Sequence, residues 1–126
     1  MTMRTPLKEA RWLGSAKEGS DHFWLQRLTG AANFILVIFA IGFAICHIGA
    51  DHATVKTALG HPAVALFALL FLASATIHMR IGMQVIIEDY VHGTALKLVL
   101  LMLNTFFAII VAAAGGLSIL KLAFGG

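Results

Sequence analysis

"HMRIGMQVIIEDYVHG", residues 78–93, gathers two histidines, one arginine and two carboxylates within an otherwise apolar chain. Its opening "HMRIGMQVII" continues an apolar run that begins at Pro62, and its closing "EDYVHG" interrupts that run before another starts. Read as the foot of one membrane span and the turn into the next, the stretch decides the fold. A helix needs about 20 predominantly apolar residues to cross a bilayer. Three runs are that long: about 27–49 ("RLTGAANFILVIFAIGFAICHIG"), about 62–87, and about 95–120 ("ALKLVLLMLNTFFAIIVAAAGGLSIL"). Pro62 suits the first turn of the second run, with His61 ahead of it. The linkers "ADHATVKTALGH" and "EDYVHGT" are short, which makes neighbouring helices antiparallel. The sequence therefore predicts an all-α membrane protein with three transmembrane helices. Residues 1–26 form an N-terminal segment, 27–120 the three-helix anchor, and 121–126 a tail.

Composition agrees. The 126 residues are 60% hydrophobic and 12% charged, with mean hydropathy +0.90, whereas soluble domains carry about 25% charged residues. One domain fits this length, its apolar surface covered by lipid or by other chains. The net charge of +3 does not form a nucleic-acid stripe. No nucleic-acid partner is expected. A lone cysteine, Cys46, excludes an internal disulfide and reads as a small buried hydrophobe. The mixed-charge N-terminus lacks the apolar core of a signal peptide, and Glu9, Glu18 and Asp21 argue against a transit peptide.

Basic residues set the orientation. Arg4, Lys8, Arg11, Lys17 and Arg27 precede or open the first run, while the first linker holds only Lys56. Arg80 and Lys97 flank the second linker, and Lys121 stands alone near the end. The N-terminus and the "EDYVHG" turn are expected in the cytoplasm and the C-terminus in the periplasm.

His78 then lies roughly 14 Å inside the second span, near mid-bilayer. An ionisable residue there is costly and marks a functional position. Ser74, Ala75 and Gly82 share its face. These small residues would leave room for a flat macrocycle ligated by the imidazole, or serve a helix contact holding one hydrogen-bonded histidine. Spacing alone leaves both open. His47 is the only other histidine within an apolar run, and its depth differs by roughly 20 Å. A second histidine on the same iron would have to come from another chain. His47 reads as interfacial, and His22, His52 and His61 take no role.

Asp89 follows His78 by eleven residues and returns to nearly the same helix face. With Tyr90 it offers a carboxylate and a phenol at the surface, groups that can donate to a quinone and relay protons. A solvated helix end is the equal alternative for this pair and the preferred reading of Glu88. Arg80 points away from His78 and cannot snorkel easily, since its Cβ leans away from the nearer surface, so it needs a partner within an assembly. Arg27 suits either a haem propionate or a positive-inside anchor.

The pattern His78, Gly82, Asp89, Tyr90 and the following Val-His-Gly resembles the second helix of the small hydrophobic membrane anchor of succinate dehydrogenase, respiratory complex II, the subunit termed D. In that family a histidine ligates haem b, and an Asp-Tyr pair follows eleven and twelve residues later. Gln84 stands one position early and inherits nothing. "HFWLQRLTG", residues 22–30, is similar to the family's opening of helix 1, where an arginine lies near the haem propionates. The resemblance covers about residues 20–120; the first twenty match nothing.

It implies a subunit with no catalytic site of its own. His78 would be an axial ligand to the haem iron, Arg27 would meet a propionate, Tyr90 would bond a quinone carbonyl, and Asp89 would belong to the same site. Haem b would be the cofactor and ubiquinone the substrate. The implied partners are a second membrane anchor subunit sharing the haem, an iron–sulfur subunit and a flavoprotein subunit. The implied location is the bacterial cell inner membrane, crossed several times. Two rivals stand beside this: a fumarate reductase anchor working with menaquinone, and a small transporter or assembly protein using His78 and Arg80 as a polar relay.

Overall fold

The computed structural model describes residues 18–125, so the expected N-terminal segment lies largely outside the described residues, as does residue 126. Four α-helices follow one another: α1 (Glu18–Cys46), α2 (His52–Gly60), α3 (Pro62–Tyr90) and α4 (Thr94–Ala123). Among the described residues there is no strand. The long helices α1, α3 and α4 are each apolar and long enough to cross a membrane. At 29, 29 and 30 residues they reach roughly 43–45 Å, beyond the ~30 Å hydrocarbon core. They outrun the apolar stretches because a helix does not stop where hydrophobicity stops. Asp21, in the early turns of α1, suits the positive end of the helix dipole. At the foot of α3 the backbone turns extended at Val91, whose N–H still bonds the Ile87 carbonyl at 3.0 Å.

The first linker corrects the expectation of a plain connection: it contains α2. Asp51 caps this helix, its carboxylate accepting the Thr54 N–H at 3.0 Å. Thr54, through its side chain first and its backbone second, holds the Asp51 carboxyl below the usual range. A lowered pKa makes this cap complete at neutral pH, and it is lost as acid drives the pH down through that lowered value. His61 alone separates α2 from α3, and its Nδ1 accepts the Ala63 N–H at 3.2 Å.

Packing explains why α2 forms. A Cβ built on Gly60 would lie 2.9 Å from the Leu122 carbonyl oxygen, so α2 seats its last residue against the backbone of α4. Gly60→Ala is expected to cost about 1–3 kcal/mol of overpacking strain. Limited proteolysis checks this: cleavage within residues 51–61 should quicken while overall helicity stays unchanged.

Both α1 and α4 pack on α3 and not on each other, so the three spans form a row with α3 in the middle. Phe39 of α1 stacks on Phe67 of α3 with ring centroids 4.9 Å apart. On the other side, Asn104 Nδ2 donates to the Arg80 carbonyl at 2.9 Å and Lys97 Nζ to the Glu88 carbonyl at 2.9 Å. A row encloses little. Among the described residues only Ala65, Ile81, Ile87, Ala108, Thr29 and Thr76 are buried. Cys46 is exposed, not buried as expected, because the end of α1 has neighbours on one side only.

Candidate functional site

The α1–α3 contact is polar at one level. Gln26, Thr29, Gly30 and Asn33 follow the i, i+3, i+4, i+7 spacing that gives a helix one face. Ser74, His78 and Gly82 do the same on α3 at four-residue intervals. His78 Nδ1 lies 3.2 Å from Thr29 Oγ1 and 3.2 Å from the Gln26 carbonyl oxygen. The Ser74 hydroxyl donates to the Thr29 carbonyl at 3.1 Å. Both glycines are close-approach positions: a Cβ on Gly30 would sit 3.3 Å from His78 Cε1, and one on Gly82 3.3 Å from Gln26 Nε2.

These contacts assign the imidazole tautomer. A carbonyl oxygen only accepts, so Nδ1 carries the proton shared with Gln26 and Thr29. In a neutral ring this arrangement leaves the lone pair on Nε2. His78 is half-buried and stands roughly 18 Å along α3 from Tyr90. Near it, Gln26 Oε1 and Asn33 Oδ1 are buried acceptors without a partner. Each such orphan costs about 1–3 kcal/mol.

Of the two readings left open for the small face of α3, the structure shows the helix contact. Ser74 and Gly82 meet α1, so the small residues serve a helix contact within the chain. What the imidazole keeps for a metal is its Nε2 edge. Among the described residues no group of three or more His, Cys, Asp or Glu side chains could hold a bare metal ion. A haem iron, already held by four porphyrin nitrogens, needs only a single imidazole from each side. The donor chemistry of His78 fits that need.

Arg27 is exposed, with its guanidinium carbon 4.3 Å from the centre of the Phe23 ring. Asp89 and Tyr90 end α3 in the open, Tyr90 being 77% exposed. Gln84 donates to Glu88 Oε1 at 2.8 Å, a local bond within α3. Arg80 is exposed on a membrane-spanning helix. His47 bonds the Phe43 carbonyl through Nδ1 at 2.8 Å and stacks on the Phe43 ring. It lies eighteen residues beyond Thr29, roughly 27 Å along the helix, so it cannot reach an iron at His78. An apolar cavity of about 220 Å³, lined by Leu36, Phe39, Phe43, Val64, Phe67 and Phe71, sits toward the opposite end of the α1–α3 pair from Tyr90.

Sequence reading singled out Arg27 in this stretch for its charge and passed over Gln26, Thr29 and Gly30. The signal was present as polar and small residues at helical period in "QRLTGAAN", residues 26–33.

A model of the succinate dehydrogenase/fumarate reductase transmembrane subunit family matches residues 1–117, which corrects the sequence reading by taking in the first twenty residues as well. Among curated relatives, the succinate dehydrogenase hydrophobic membrane anchor subunit of Paracoccus denitrificans is 30% identical over 110 residues, covering 87% of this chain and 85% of that protein. Its counterpart in Rickettsia bellii is 29% identical over 111 residues, covering 88% and 89%. The succinate dehydrogenase membrane anchor subunit of Reclinomonas americana is 33% identical over 96 residues, covering 74% and 80%. No solved structure matches significantly. Three apolar spans and bacterial relatives make this a multi-pass inner-membrane protein. The family model spans nearly the whole length, and the chain belongs to that family: the succinate dehydrogenase/fumarate reductase transmembrane subunits.

Proposed function

We propose that the chain is the membrane-anchor subunit of a succinate:quinone oxidoreductase, that His78 ligates haem b through Nε2, and that the end of α3 helps form the ubiquinone site. The observation that carries this reading is the imidazole itself. It lies deep in a transmembrane helix, clamped at Nδ1 by α1, with the ligating nitrogen left free. Haem b held there would supply a one-electron store in reach of the quinone end.

The chain's own contribution is binding and positioning, so the chemistry depends on partners. A second membrane anchor supplies the other haem histidine. An iron–sulfur subunit and a flavoprotein subunit dock on the cytoplasmic face, at the end of the row that holds the start of α1 and Tyr90. Arg27 begins the same polar level as Gln26 and carries a free guanidinium fork for a propionate. Tyr90 offers one O–H donor to a quinone carbonyl, with Asp89 beside it to orient the phenol or relay protons. Relatives named for succinate dehydrogenase favour flow from succinate over the fumarate reductase direction with menaquinone.

The deciding experiment is a reduced-minus-oxidised spectrum of the complex purified through this chain. A b-type band at one haem per complex is expected; a complex free of haem would overturn the ligand assignment and favour the polar relay. Tyr90→Phe tests the quinone end. The ring stays and the donor goes, so quinone affinity should fall roughly 2- to 10-fold, the worth of one neutral hydrogen bond. Succinate oxidation by a soluble dye should be unchanged. Unaltered quinone turnover and inhibitor affinity would reduce Tyr90 to an interfacial aromatic.

A further inference from the structure

We infer that Thr29 is a positioning residue for the His78 ligand: its hydroxyl oxygen, turned toward His78 by a bond to the preceding turn, holds the imidazole as the Nδ1–H tautomer and raises the basicity of Nε2. This rests on the haem reading above and adds a residue that the reading does not need.

A threonine hydroxyl has one proton. Here it goes to the Leu25 carbonyl at 2.7 Å, in preference to the Gln26 carbonyl at 3.2 Å. The lone pairs are left to accept, and Nδ1 stands 3.2 Å away. Thr29 is only 6% exposed, so water does not compete for that oxygen. Its main chain is gripped as well, since Ser74, one turn from His78, donates to the Thr29 carbonyl. The residue is therefore tied to α3 at two points, by side chain and by backbone. Gly30, next in sequence, completes the seat, because any Cβ there would press on the ring at Cε1.

Three effects follow from general chemistry. The tautomer is fixed, so the lone pair always faces outward from α1. Ring rotation is restrained, so the ligand plane is preset. An acceptor on Nδ1–H pushes electron density to Nε2 and strengthens it as a donor, as outer hydrogen bonds to metal-bound histidines do. A stronger donor favours the ferric over the ferrous state and lowers the midpoint potential.

Thr29→Val removes the hydroxyl acceptor, leaves the Gln26 carbonyl and keeps the branched shape; Thr29→Ser keeps both acceptors. Both are to be compared with wild type in the purified complex, by optical redox titration of haem b and by haem retention against a competing apoprotein. Thr29→Val should raise the midpoint potential and weaken haem retention about 10-fold or more, while Thr29→Ser stays near wild type. Thr29→Val matching wild type in both readouts, or Thr29→Ser matching Thr29→Val, overturns the inference. His78→Leu separates the levels: if it loses haem while Thr29→Val does nothing, only the Thr29 role fails, and if it keeps haem, the ligand reading itself fails. A measurement on wild type needs no variant to assemble. In the reduced, ¹⁵N-histidine-labelled complex, solid-state NMR should show His78 protonated at Nδ1 and unprotonated at Nε2; a proton on Nε2 overturns the ligand reading and the inference together.

Discussion

A complex built with His78→Leu is expected to lose haem b, its reduced b-band falling at least about tenfold. Leucine fills much of the imidazole volume and packs against α1, so the helix pair should survive. What disappears is the nitrogen that would bind iron and the Nδ1 proton shared by Gln26 and Thr29. The spectrum, read against flavin content, separates lost ligand from lost protein. Succinate oxidation by a soluble dye should persist, since that chemistry belongs to other subunits. A His78→Leu complex with wild-type haem content and band shape would exclude His78 as a ligand.

Production of this chain without the proposed second anchor should lower its level in the membrane by more than about tenfold and leave it without haem. The row of helices buries six residues among those described. Arg80 is exposed on the middle helix, and an unpaired cation at helix centre costs ~2.5–3.5 kcal/mol on insertion scales. The orphan acceptors on Gln26 and Asn33 add to that burden. Large apolar side chains such as Phe34 and Leu117 face outward, as they would against lipid or another chain. Pulse-chase labelling with and without the second anchor measures the difference. A stable, monodisperse, haem-loaded chain on its own would contradict the argument.

The spans were legible in the sequence because about 20 apolar residues can satisfy a bilayer in only one common way, as a helix. Their ends were not, since α1 continues through Asp21, His22 and Phe23, where hydropathy says nothing about helicity. The helix α2 was hidden for a different reason. Nine residues give too short a periodic signal, and its stability comes from Asp51 and from Gly60 meeting Leu122, a contact across the fold. His78 announced itself by charge and depth. Thr29 did not, because a threonine in a span is unremarkable until its partner on another helix is known. The small residues around His78 left macrocycle room and a helix contact both open, and Ser74 and Gly82 receive α1, a choice that spacing on one helix cannot make.

The arrangement of the spans also permits an order of events during synthesis. Chains are made from the N-terminus, and helices can pair as they emerge. The clamp on His78 uses α1 and α3 only, and α1 never touches α4. The seat for the imidazole therefore needs nothing from α4 and can form before that helix packs. When α4 arrives, it locks on through Lys97 and Asn104, which take carbonyl groups of α3 at Glu88 and Arg80. The histidine seat can thus be set first, and the last helix adds to the other side of α3 with the imidazole already held by α1.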